Sequence, residues 1–161
     1  MKSTLALLLL AFLFPVFADS TNLLKPANKQ DSWRLEQKDD GKAEMKVDDE
    51  AVSFKITAVD STDWHVQAVQ TNLDLKEGAT YILKFKGRSP DSVTISVNAM
   101  IDQDDWHEIG LHEDIYLGKE YKEYSHEFQT TGTVSKKNRI SFVMGNSKGL
   151  VQIKDVSLEA K

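Results

Sequence analysis

The chain has no cysteine in its 161 residues. That excludes a disulfide framework and a lipidated N-terminal cysteine, so the fold must be held together by burial alone. Beyond the first 18 residues, no stretch approaches the roughly 18 consecutive apolar residues that a membrane-spanning helix needs. Clusters of Lys and Arg are also missing. With 20 basic residues against 25 acidic ones the formal charge is −5, the wrong sign for nucleic acid, phosphate-rich polymers or anionic membranes. Neutral ligands fit better. Catalytic signatures are absent too: there is no serine or cysteine nucleophile motif and no phosphate-cradling glycine loop. Many acids are present, but no pair can be singled out as the two carboxylates that glycoside hydrolysis requires.

What is present begins with a leader. Residues 1–18 carry Lys2, an apolar stretch over 5–14, Pro15, and then Val16-Phe17-Ala18 with small residues at the two positions a signal peptidase inspects. The expectation is a signal peptide over 1–18 cut after Ala18, a secreted or periplasmic product, and one domain over 19–161. Loss of Lys2 moves the charge from −5 to −6. A chain of about 143 residues buries roughly 68 to 70% of its unfolded surface, enough for one proper core.

Period-two alternation runs almost from end to end. Val52, Phe54 and Ile56 alternate with Ser53, Lys55 and Thr57; Tyr81, Leu83 and Phe85 alternate with Ile82, Lys84 and Lys86. Val93, Ile95, Val97, Ala99 and Ile101 alternate with Thr94, Ser96, Asn98 and Met100, and Ile140, Phe142 and Met144 with Ser141 and Val143. Val151 and Ile153 are followed by Val156 and Leu158 in a shifted phase, which predicts a β-bulge at Lys154-Asp155 with Asp155 satisfying backbone amides. Turn signals separate these runs, among them Asp39-Asp40-Gly41-Lys42, Lys76-Glu77-Gly78-Ala79 and Gly145-Asn146-Ser147-Lys148-Gly149. The reading is all-β: about nine or ten strands in a two-sheet antiparallel β-sandwich of the jelly-roll type. Residues 25–32, polar and interrupted by Pro26, are the one segment expected to be flexible.

Three places are candidates for function. Trp64 follows the polar run Asp60-Ser61-Thr62-Asp63 and precedes Gln67. It is either a rim residue folded over the core or an exposed platform. The second reading has a chemical logic, because a sugar ring presents C–H groups on one face and hydroxyls at its edge, and Gln67 offers both a donor and an acceptor. The second place is Asp102-Gln103-Asp104-Asp105-Trp106-His107-Glu108, ending near His112. His107 and His112 are five apart with Gly110 between them, which is not the i, i+4 spacing of a helical zinc motif. The aspartates lack EF-hand spacing, so a solvated acidic hairpin is expected. Trp106 in that charged loop has few ways to hide and is a candidate second platform. The third place is the closing strand with its bulge.

Taken in order, the motifs Trp64-x-x-Gln67, Leu73-x-Leu75-x-x-Gly78-x-x-Tyr81-x-Leu83-x-Phe85-x-x-Arg88, a Phe near 124–128, Arg139-Ile140-x-Phe142-x-x-Gly145 and Val151-x-Ile153-x-Asp155-Val156-x-Leu158 resemble the carbohydrate-binding modules of the family 4/9/22 group, galactose-binding-domain-like jelly rolls. The likeness covers about residues 20 to 160. It implies a cleft on one sheet face for a β-linked glucan or xylan chain, with Trp64 and Trp106 sandwiching sugar rings and Gln67 and Arg139 supplying hydrogen bonds. Leu111 and Val143 stand where some members have an arginine and a histidine that touch sugar. Asn22-Leu23-Leu24-Lys25-Pro26 replaces the usual N-terminal signature, and Lys154 replaces one acid of the common Asp-Asp pair, so the family's structural calcium is in question although Asp155 is kept. No other cofactor is implied.

Covering about 100 Å² on each of two indole rings at roughly 25 cal/mol per Å² gives about 5 kcal/mol before association costs. Hydrogen bonds to Gln67 and Arg139 add about 1 kcal/mol each, for an affinity between roughly millimolar and micromolar. The expected activity is noncatalytic binding of a polysaccharide or oligosaccharide, with no nucleic acid and no membrane insertion. The alternative is a structural or adhesive sandwich that binds a protein partner at the cell surface.

Overall fold

The computed structural model describes residues 21–161; the predicted signal peptide over 1–18 lies outside them. Ten strands are present among the described residues: β1 (Arg34–Gln37), β2 (Lys42–Val47), β3 (Val52–Ala58), β4 (Val66–Leu73), β5 (Thr80–Arg88), β6 (Val93–Ile101), β7 (Glu108–Leu117), β8 (Lys122–Gln129), β9 (Asn138–Val143) and β10 (Gly149–Ala160). They form two five-stranded sheets in the orders β1-β4-β9-β6-β7 and β2-β3-β10-β5-β8. Every pairing is antiparallel. This is the expected sandwich.

Alternation decides which side of each strand goes inside. In β9, Ile140 and Phe142 enter the core, and in β5 Tyr81, Leu83 and Phe85 do the same. Phe142 from the first sheet meets Phe85 from the second edge-to-face, with ring centres 5.1 Å apart. Trp33 closes the cluster, edge-on to Phe54 at 5.8 Å and to Phe142 at 5.6 Å, with its indole N–H donating to the Ala27 carbonyl at 2.9 Å. Of the three tryptophans it alone is core. Burying each such ring stabilises the sandwich by roughly 2 to 3 kcal/mol.

The predicted bulge lies where the phase shift placed it. The β10–β5 register slips between Lys154 and Ser157, and Asp155 adopts φ 52°. The role expected of Asp155 is corrected: its carboxylate accepts from the Lys86 ammonium at 3.0 Å. Lys154 turns to Glu50 at 3.4 Å, and among the described residues no group of three or more acidic or histidine side chains is arranged to hold a metal. A carboxylate already matched by an ammonium, beside a second lysine, does not fit a calcium ion.

The segment expected to be flexible is fastened at its start. The Gln70 side-chain amide accepts from the Lys25 N–H at 2.8 Å and donates to the Lys25 carbonyl at 3.0 Å, a pairing that imitates a strand partner. Leu24 and Ala27 are buried beside it.

Candidate functional site

The first sheet turns one face to the core and the other outward, and the outward face of β9 is built from Arg139, Ser141 and Val143. Register places Gln67 of β4 beside Val143, Asn98 of β6 beside Ser141, and Met100 beside Arg139. His112 of β7 continues the row from Asn98, and Glu36 of β1 continues the row from Gln67. Over this polar floor lies a cleft of about 570 Å³ whose lining includes Trp64, Gln67, Trp106 and Arg139, with Glu36, Lys38, Asn98, Met100, Glu108, His112 and Val143. Four residues separated by up to 75 positions in sequence are thus neighbours in space.

Trp64 sits in a single 3₁₀ turn, Asp63–His65, at the entrance to β4. The turn is fixed from below, because the Gly145 N–H donates to the Asp63 carbonyl at 2.9 Å and the Asp63 carboxylate accepts from the Trp64 N–H at 2.7 Å. His65 is buried and packs its ring edge-on to the Trp64 indole at 4.3 Å, held by Asp60 at 2.7 Å. The Lys38 ammonium lies 4.8 Å from the centre of the Trp64 ring. Trp64 remains 44% exposed.

Trp106 is 45% exposed and comes from the β6–β7 loop. Asp105 at φ 95° and Trp106 at φ 47° are consecutive left-handed residues, a geometry that costs about 1 to 2 kcal/mol per residue for side chains with a Cβ. The loop is a hairpin between antiparallel strands, solvated at Asp104 and Asp105 as expected from sequence, but Asp102 at its base is not. Asp102 accepts two bonds from the Arg34 guanidinium, at 2.6 and 3.1 Å, and a third from Arg139 at 3.4 Å. Alternating apolar positions hide the aspartate's role, since nothing local reveals that β1 delivers Arg34 beside it.

Arg139 is buried beneath the cleft, only 3% exposed. Its guanidinium donates to Glu36 at 3.2 Å, to Asp102, and to the Gln67 side-chain oxygen at 3.4 Å, and stacks 4.8 Å from the Trp106 ring centre. Burial pulls its pKa below the usual guanidinium value, opposed by Glu36 and Asp102. Five buried side-chain polar atoms among the described residues have no hydrogen-bond partner, and three of them, Arg139 Nε, Ser141 Oγ and Asn98 Oδ1, belong to this outward face. Each unmet buried group costs about 1 to 3 kcal/mol.

Sequence reasoning misses Glu36, Lys38, Asn98 and Met100, and places Glu108 and His112 in a candidate segment without giving them a role in the cleft. Asn98 and Met100 were visible only as the outward phase of β6. The zinc spacing is the only local signal His112 carries; in the structure its imidazole donates to the Glu108 carboxylate in the cleft wall, and that bond holds its pKa above the ordinary imidazole value. Leu111, one of the two positions set against sugar-touching residues, is core, while Val143 does line the cleft.

A family model described as a carbohydrate binding domain matches residues 17–149. Among solved structures, one described as "CBM4 structure and function" is 20% identical, with a TM-score of 0.73 over 89% of this chain and 96% of that one. The N-terminal cellulose-binding domain of β-1,4-glucanase C from Cellulomonas fimi is 16% identical, with a TM-score of 0.68 over 84% of this chain and 92% of that one. A family 11 carbohydrate-binding module from Clostridium thermocellum, in complex with a β-1,3-1,4-mixed-linked tetrasaccharide, is 13% identical, with a TM-score of 0.60 over 86% and 94%. No curated protein sequence matches the chain. At these identities the structural likenesses establish the jelly-roll fold.

Proposed function

The chain belongs to the carbohydrate-binding domain family of the 4/9 group, and on that premise we propose that it is a secreted, noncatalytic module that holds a β-glucan or xylan type of chain in the cleft between Trp64 and Trp106. One observation carries the assignment of the site. Two half-exposed indoles, which solvent would otherwise disfavour, flank a single cleft floored by the Gln67 and Asn98 amides and the Arg139 guanidinium. Aromatic plates suit the C–H faces of sugar rings, and the floor suits their hydroxyls.

The roles follow from position. Trp64 and Trp106 supply stacking area, Gln67 supplies an accepting oxygen and a donating amide, and Arg139 fixes Trp106 from below while sharing its guanidinium with Gln67. Structural neighbours described as a cellulose-binding domain and as a complex with a mixed-linked β-glucan oligosaccharide support the choice of ligand class. Secretion rests on the leader over 1–18. Among the described residues no helix is long and apolar enough to cross a membrane.

The test is titration of soluble β-glucans, xylans and mannans with tryptophan fluorescence as readout. Saturable change with a β-glucan or xylan is the expected result; no saturable change with any polysaccharide overturns the proposal, and a protein partner recovered independently of added glycan supports the adhesive alternative.

A further inference from the structure

The loop that carries Trp106 is tied at its far end by one histidine. His107 places Nδ1 2.7 Å from the Asp105 carboxylate and Nε2 2.8 Å from the Gly132 carbonyl. Both partners only accept, so both ring nitrogens must carry protons; a neutral imidazole has one donor and would set a lone pair against an oxygen. The imidazolium is therefore the form that fits. Gly132 is shaped for the contact: it has φ +71°, and a Cβ there would stand 2.7 Å from His107 Nε2. Behind it, the Glu77 carboxylate accepts from the N–H groups of Gly132 at 3.1 Å and Thr133 at 2.9 Å, fixing the anchoring segment. On the other side of His107 stand Asp105 and Trp106, the two left-handed residues that aim the indole at the cleft.

We propose that the protonated His107 is a latch that positions Trp106, so that deprotonation on the alkaline side frees the loop from Gly132 and weakens saccharide binding. His107 touches no part of the cleft and acts only through its neighbour. The charged groups facing it are Asp105 from its own loop and, through the Gly132 peptide, Glu77 from the β4–β5 connection. The hydrogen bond that His107 donates to Asp105, helped by the one to the Gly132 carbonyl, holds the His107 pKa above the usual imidazole value. The sign follows: a raised folded-state pKa means that the latch is complete below the ordinary imidazole range and is lost as pH rises through the raised value.

The latch is testable without saccharide. Imidazole and indole ¹⁵N–¹H spectra from about pH 6 to about pH 10 should show both His107 nitrogens protonated at the acid end, and Trp106 resonances moving with the His107 titration. His107→Gln should abolish the Trp106 step, Asp105→Asn should move it to lower pH, and His112→Gln should leave it in place, separating it from the Glu108–His112 pair in the cleft. Affinity for a mixed-linked β-glucan tetrasaccharide should fall about fivefold or more across the same step. Trp106 resonances that ignore the His107 titration, or an unchanged step in His107→Gln, overturn the latch. The affinity arm alone rests on the proposed function: a Trp106 step with no binding of the tetrasaccharide at any pH supports the latch and counts against the carbohydrate reading.

Discussion

Arg139 lies beneath Trp106, its guanidinium carbon 4.8 Å from the indole centre, while the same group reaches Glu36 and Gln67. One buried side chain thus joins the floor of the cleft to its wall. A lysine at this position keeps the charge but has neither the planar fork nor the stacking surface. Arg139→Lys should lower stability by about 2 kcal/mol, roughly 4 to 8 °C in Tm for a chain of this size. It should also shift the Trp106 emission. Thermal denaturation and fluorescence on the one variant check both; an unchanged emission spectrum would show that the stack is incidental.

Trp64 presents the opposite balance, because nearly half of its surface already faces solvent. Trp64→Ala should cost at most a few degrees in Tm while removing about 2 kcal/mol of binding, roughly thirtyfold in Kd. Calorimetric titration of wild type and variant with the best β-glucan or xylan ligand measures the loss. A variant that instead unfolds would place Trp64 in the core.

Gly145 sets the position of Trp64 without approaching the cleft. A Cβ at 145 would stand 2.2 Å from the Asp63 carbonyl oxygen, so Gly145→Ala must push the 3₁₀ turn away from β9. Overpacking of this kind costs about 1 to 3 kcal/mol. The variant should melt earlier and bind more weakly, a pair of effects that Trp64→Ala does not show together.

The loop around Gly132 should give the protein an acid limb. Thr133 and Gly132 amide groups hold the Glu77 carboxyl below the usual glutamate range, so its contribution is present above that range and disappears as pH falls through the lowered value. Tm measured against pH should therefore show wild type above Glu77→Gln at neutral pH, with the two converging below about pH 4. A constant gap across the titration would assign the difference to packing rather than to charge.

The strands were legible because alternation is a local property: Tyr81, Leu83 and Phe85 declare an inward face wherever the strand ends up, and the phase shift after Ile153 marks a bulge without knowledge of its partner. The cleft was legible only through its aromatics and through family likeness. Glu36 and Lys38 carry no local signal, since β1 gains its meaning by pairing with β4. Asp102 looked like a solvated acid because Arg34, its partner, is 68 positions away. Asp155 failed in the same way, its lysine coming from β5. Pairing between distant strands is what the one-dimensional pattern leaves out.

The central claim is that Trp64 and Trp106 grip saccharide in one cleft, and the most direct measurement is isothermal titration of wild type, Trp64→Ala, Trp106→Ala and the double variant with β-glucan and xylan oligosaccharides. The account predicts saturable binding of one ligand per chain, a loss of roughly tenfold or more in each single variant, and no detectable binding in the double variant. Equal affinity in all four proteins would contradict it.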